Sequence, residues 1–265
     1  MGVTTILPEP SVVRRVDREM FLLLGGTAAL LMQIAHPSVA AGVEQHSDFR
    51  RHPFGRLVRT LNTTLAVGFG DERAVAAAIE RMNRIHAHVR GIGAQGDPYE
   101  AAYPALLLWV QTTLVLTSLR LYELVLGRLP AGEREAYWRE TKPIAQLLGI
   151  PADHLPPTLA DLERHEREML ARAIVPDATV RTVGRDILRP FRWLPDIAYW
   201  PSDALTAALV PASLRSAFGL RYGTAERAFF RGVIITVRWL RRLLPDMLTV
   251  VPQARRYERA SHPQR

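Results

Sequence analysis

The sequence has no cysteine and a single lysine, Lys142. It has no internal repeat and few runs in which apolar and polar residues alternate. Each absence excludes something. Without thiols there are no disulfides and no thiolate ligands. A metal or haem iron would have to be held by His, carboxylate, Tyr or Met. Without alternation a sheet-based core has little support. Several motifs are missing as well: a Gly-rich phosphate loop, HExxH, an EF-hand loop and a GxSxG elbow.

What is present is apolar and basic. Of 265 residues, 48% are hydrophobic, enough for one sizeable core. The net charge is +8, carried almost wholly by Arg, with much of the excess in "RGVIITVRWLRRLLPD" and "PQARRYERASHPQR". The pattern reads as solvated helix surface plus a basic tail, and gives no exposed recognition helix for nucleic acid. The N-terminus places prolines and acids ahead of its first apolar run, unlike a signal peptide. That run holds Gly25, Gly26, Gln33, His36 and Pro37, which makes a poor membrane span. A cytoplasmic protein is expected, with peripheral membrane contact and a homodimer face left open.

Helical spacing dominates. Asp17 is expected to cap a helix from Arg18 to Ile34, and Ser38 a short one reaching His46. A helix from Phe54 to Val67 should end at Gly68 and Gly70. Asp71 should cap the next, which Gly91 ends. Val75, Ala78, Ile79, Met82, Ile85, His86 and Val89 form its single apolar stripe. Pro104 to Leu126 is apolar nearly all round and reads as a central core helix. Proline-punctuated helices follow. The expectation is an all-α, single-domain bundle of roughly ten helices. Its core helices would lie near residues 20–35, 72–90 and 104–126. The domain would span 12–250 and the basic tail 251–265.

Three places hold chemistry-bearing residues. His36, His46 and Asp48 could form a 2-His-1-carboxylate iron site, although a cap or a satisfied core position also explains each histidine. His86 extends an apolar stripe, the arrangement that gives a haem one axial imidazole, whereas His88 points elsewhere. Arg56, Arg59 and Thr60 share one helix face, where they could hold propionates or a bound oxygen function, or simply meet solvent.

Taken in order, "GGTAALLMQIAHPSVAAGVEQHSDF", "GRLVRT", "RIHAHVRG", "YPALLLWVQTTL" and "YWRETKPIAQLLGIP" resemble the domain of unknown function 2236 family. That family includes the rubber oxygenases and the mycophenolic-acid-pathway oxygenase, and its short bacterial members are the nearer likeness. The resemblance covers roughly residues 12 to 250 and is densest from Gly25 to Leu148. It implies a globin-like helical core. From the rubber-oxygenase branch it implies a haem b with His86 as axial ligand and Arg56, Arg59 and Thr60 on the distal side. Arg59 stands where that branch has a lysine, and a guanidinium does not readily ligate iron. His36 and His46 remain as rival ligands, and Glu44 is the candidate base by position. The implied function is a haem-dependent oxygenase using dioxygen on a small apolar, alkene or isoprenoid substrate, with no nucleic-acid partner. Two alternatives accompany it: a non-enzymatic haem or apolar-ligand binder, and the non-haem iron oxygenase of His36, His46 and Asp48.

Overall fold

The computed structural model describes residues 6–50, 53–191 and 193–261, with the backbone alone for 53–57, 59, 60 and 261. Helices account for most of it. In chain order they are α1 (Val12–Asp17), α2 (Gly26–Ile34), α3 (Pro37–His46), α4 (Pro53–Phe69) and α5 (Glu72–His88). A two-stranded antiparallel hairpin follows, β1 (Arg90–Ile92) on β2 (Pro98–Glu100), with Gly91 opposite Tyr99. Then come α6 (Pro104–Leu126), α7 (Ala131–Leu147), α8 (Leu159–Glu168), α9 (Ala178–Leu188) and α10 (Trp200–Leu209). The last four are α11 (Ala212–Arg215), α12 (Thr224–Leu243), α13 (Asp246–Thr249) and α14 (Pro252–Ser261). Fourteen α-helices among the described residues exceed the ten expected, because proline divides the C-terminal third into short pieces.

The protein is built around α6. Pro104 at its start lacks an N–H that would go unused there, and Gly127 leaves it at a φ of 99°. It packs against α1, α2, α7, α8 and α12. One core cluster joins its second half to α1, α7 and α8 through Leu116, Leu119, Tyr137, Trp138 and Leu162. The other joins Trp109 to α2, α3 and α9 through Leu31, Met32, Ile34, Val180 and Val183. Trp109 is fully buried, and its indole N–H reaches the carbonyls of Met32 at 3.1 Å and Gln33 at 3.2 Å. That bond ties the C-terminal turn of α2, whose carbonyls lack helical partners, to the central helix. By length and composition α6 could cross a membrane, but 61% of its apolar window is buried inside the protein.

Local capping corrects several expectations. Asp17 does not begin a helix; it is the last residue of α1, which Ser11 caps by accepting from the Arg14 N–H. At α3 the capping group is His36, not Ser38. Its Nδ1 accepts the Ser38 N–H at 3.2 Å, with Pro37 in the first helical position. Asp71 caps α5 as expected, accepting from Ala74. Helix α5 is less central than expected, since only Val75, Ala78 and Ile79 are buried. Part of the C-terminal segment read as tail is α14, which packs Val251 and Ala254 against Leu65 and Phe69 of α4.

Candidate functional site

A cavity of about 370 Å³ runs beside α6, within the roughly 300–1,000 Å³ typical of small-molecule and cofactor sites. Leu107, Val110, Gln111, Leu114, Val115 and Ser118 line it. These positions advance by three and four, so they form one face of the helix. At 1.5 Å per residue that face is about 16 Å long. The helix is apolar all round because its other faces pack into the two cores and this one faces a cavity.

The remaining walls come from α1, α2, α3, α4, α5, β2 and α7, with Arg81 of α5 the one guanidinium among the described lining residues. From α5 come Met82, Ile85, His86 and Val89, the C-terminal half of the stripe read from the sequence. Ile85 is 45% exposed for this reason: its side chain faces the cavity. The end of the cavity at which His86 lies follows from the hairpin. The Ala101 N–H bonds the Val89 carbonyl at 2.8 Å, and α6 begins three residues later. The His86 turn is therefore at the N-terminal end of α6. His86 is half-buried, with its Nδ1 shielded from solvent. His46 lines the same end, and its Nε2 donates to the Arg90 carbonyl at 3.0 Å, leaving Nδ1 with the lone pair. Tyr99 closes this end from β2. Its hydroxyl donates to Gln45 Oε1 at 2.8 Å, and burial pushes its pKa up.

At the opposite end lies a polar group the sequence did not advertise. Asp17 of α1 accepts a hydrogen bond from the Tyr137 hydroxyl of α7 at 2.8 Å. Ser118 of α6 faces the same phenol and draws its pKa down a little. All three line the cavity. Burial pushes the Asp17 carboxyl up to about 7, and the Tyr137 bond only partly opposes it. Burial also drives the Tyr137 phenol well above its ordinary value, with the Asp17 charge adding to it. Between the two ends, Gln33 of α2 is 4% exposed and lines the cavity. A readable signal did exist: Gln111 and Ser118, seven residues apart, are polar positions on the helix face that otherwise carries Leu107, Val110, Leu114 and Val115.

Other expected site residues are elsewhere. His36 serves as the α3 cap and does not line the cavity; burial pushes its pKa down, which favours the neutral, accepting imidazole. Glu44 lies outside the cavity, held by Arg50 at 3.3 Å in a surface cluster with Asp186. His88 is exposed, its Nδ1 2.7 Å from the Arg84 carbonyl. Asp48 is exposed, and His36, His46 and Asp48 are not brought together: no group of three or more His, Asp or Glu able to hold a metal occurs among the described residues. The side chains of Arg56, Arg59 and Thr60 lie outside the described residues. Their helix α4 does reach the cavity, through Thr63, Thr64, Val67 and Gly68.

Residues 13–239 match the model of the ER-bound oxygenase mpaB/B′ and rubber oxygenase catalytic domain. The chain belongs to this family. Two curated relatives are uncharacterized proteins of Mycobacterium bovis and Mycobacterium tuberculosis. Each is 26% identical over 231 residues, covering 82% of this chain and 88% of its own length. The match spans every residue that lines the cavity, so the family region contains the site.

The donor chemistry tests the cofactor that the family implies. A bare iron ion needs three or more protein ligands, and no such group stands among the described residues. A haem brings four nitrogens of its own and needs one or two axial groups and an apolar enclosure. His86, with His46 nearby, on the wall of a mainly aliphatic cavity fits that requirement.

Proposed function

We propose that the protein is a haem-dependent oxygenase that oxidises an apolar, alkene-type substrate with dioxygen in the α6 cavity. The carrying observation is the placement of His86. It stands on a regular helix, facing a long aliphatic cavity, in a chain of an oxygenase family. His86 would hold a haem b through its imidazole, with His46 as the rival. When bound, the haem supplies the redox chemistry with dioxygen.

The chain supplies the rest. Leu107, Val110, Leu114 and Val115 exclude water and receive a hydrocarbon by burial of apolar surface. Positions 56 and 60 precede Thr63, Thr64 and Val67 by helical steps along α4. Arg56 and Thr60, with Arg59, are proposed to orient an oxygen function. Asp17 is the one titratable carboxyl lining the cavity among the described residues, and it takes over from Glu44 as the candidate for holding or releasing a proton near neutrality.

The test is the visible spectrum of protein expressed with haem precursor, for wild type and His86→Ala, each oxidised and dithionite-reduced. A Soret band in wild type that is lost in the variant supports the assignment. A colourless wild type overturns it, and a band unchanged by His86→Ala but lost in His46→Ala transfers the ligand role. Dioxygen uptake with apolar alkenes then separates an oxygenase from a non-catalytic haem binder.

A further inference from the structure

We propose that the Asp17–Tyr137–Ser118 end of the cavity is a binding subsite for an uncharged hydroxyl group at the terminus of a ligand whose hydrocarbon chain lies along α6. This rests on reading the cavity as the substrate site, and it names the substrate class as a long-chain alcohol rather than a plain hydrocarbon.

The geometry sets a polar cluster at one end of an aliphatic corridor. Leu114 and Val115 line the cavity one turn before Ser118, and Val110 two turns before it. The cluster is built from three helices, α1, α6 and α7, whose mutual packing fixes it. The Tyr137 hydroxyl is committed: it donates to Asp17 Oδ1. That leaves Asp17 Oδ2 and the Ser118 hydroxyl for a ligand. An alcohol both donates and accepts, and so matches a carboxyl group in either protonation state.

Charge excludes the other head groups. The arginines of α1 and its C-cap are committed to other partners. Arg14 donates to the Gly68 carbonyl at 2.9 Å, Arg15 pairs with Glu133, and Arg18 pairs with Asp246 at 2.7 Å and Glu258 at 2.8 Å. A carboxylate or phosphate would meet Asp17 and a phenol, while the one guanidinium that lines the cavity among the described residues, Arg81 of α5, reaches Thr63 Oγ1 at 3.5 Å instead. That pairing is costly away from water. An ammonium needs three acceptors, and this end offers fewer. Burial leaves Asp17 about half protonated at pH 7, which weakens its pull on a cation.

Titration calorimetry of the protein as expressed, without reductant, with decanol, decanoate and decylamine at pH 7 tests this. Decanol is expected to bind at least about tenfold more tightly than either charged probe, the size of one well-placed hydrogen bond and one avoided charge mismatch. Ser118→Ala and Tyr137→Phe are each expected to weaken decanol about three- to tenfold, without lowering what decanoate affinity there is. Equal affinities for the three probes, or a preference for decanoate or decylamine, overturn the hydroxyl subsite while leaving the cavity as a substrate site. Decanol binding unchanged in both folded variants also overturns it. If no probe binds, the substrate-site reading falls with it. The wild-type comparison decides even where a variant fails to fold.

Discussion

Replacing Asp17 by Asn should flatten the dependence of stability on pH by a calculable amount. In the folded protein the Asp17 carboxyl titrates at about 7, because burial disfavours its charge, against 3.8 for an exposed aspartate. Between those values the folded chain binds a proton that the unfolded chain has released. Unfolding free energy therefore falls as pH rises. The stabilisation is complete below pH 3.8 and is lost through pH 7. Between pH 5 and pH 9 the folded carboxyl passes from protonated to ionised while the unfolded one stays ionised, a loss of about 3 kcal/mol. The charged groups of neighbouring elements do not set this value, since burial and the Tyr137 hydrogen bond are its causes. The substitution keeps an amide oxygen to accept from Tyr137 and carries no charge at any pH. Urea unfolding of wild type and Asp17→Asn at pH 5 and pH 9 gives a double difference in which His36 and His165, both pushed down by burial, cancel. The expected double difference is about 3 kcal/mol, with Asp17→Asn relatively more stable at pH 9. For 265 residues this is roughly 5 °C in Tm. A double difference under about 1 kcal/mol refutes the reasoning, because Asp17 would then titrate like an exposed carboxyl and the cavity end would be open to bulk water.

Three further substitutions test the frame around the cavity. Gly184→Ala on α9 would set a Cβ 2.5 Å from Phe218 Cδ1 and 2.6 Å from Cε1, and should cost about 1–3 kcal/mol by urea unfolding; an unchanged midpoint would mean that the ring moves freely. Trp109→Phe removes the N–H shared by the Met32 and Gln33 carbonyls and should cost about 1–3 kcal/mol, read as an earlier thermal transition. Arg241→Ala strands the Glu19 carboxylate, 4% exposed and bonded at 2.6 and 3.0 Å, and should cost roughly 3–5 kcal/mol; Glu19→Gln in the same background should recover part of that loss.

The helices were legible because their signals are local. Asp71 before an apolar stripe, Pro104 before a long apolar run and Gly127 after it each act within a few residues of the boundary they set. His86 was legible for the same reason, since a 3.6-residue period fixes its face whatever that face meets. Asp17 was misread by the same kind of rule. An aspartate ahead of "REMFLLLGG" looks like a cap, but Ser11 starts the helix six residues earlier and leaves Asp17 at its end. His36 is the converse case: a histidine in an apolar run drew attention as a ligand, and local geometry made it the cap.

The far end of the cavity could not be read from one dimension, because its partners are 19 to 120 residues apart. Tyr137 and Asp17 meet across 120 positions, and Ser118 precedes Tyr137 by nineteen. Each looks ordinary in its own helix. Only the packing of α1 and α7 on α6 turns them into one group, and only the absence of packing on one face of α6 gives that group something to face. The sequence did carry the second fact in outline. A helix apolar nearly all round should bury most of its faces, and Gln111 and Ser118 are polar positions on a face otherwise made of Leu and Val. Polar positions seven apart on a central helix therefore mark a lumen rather than a core, and what the lumen holds is decided by the groups at its two ends.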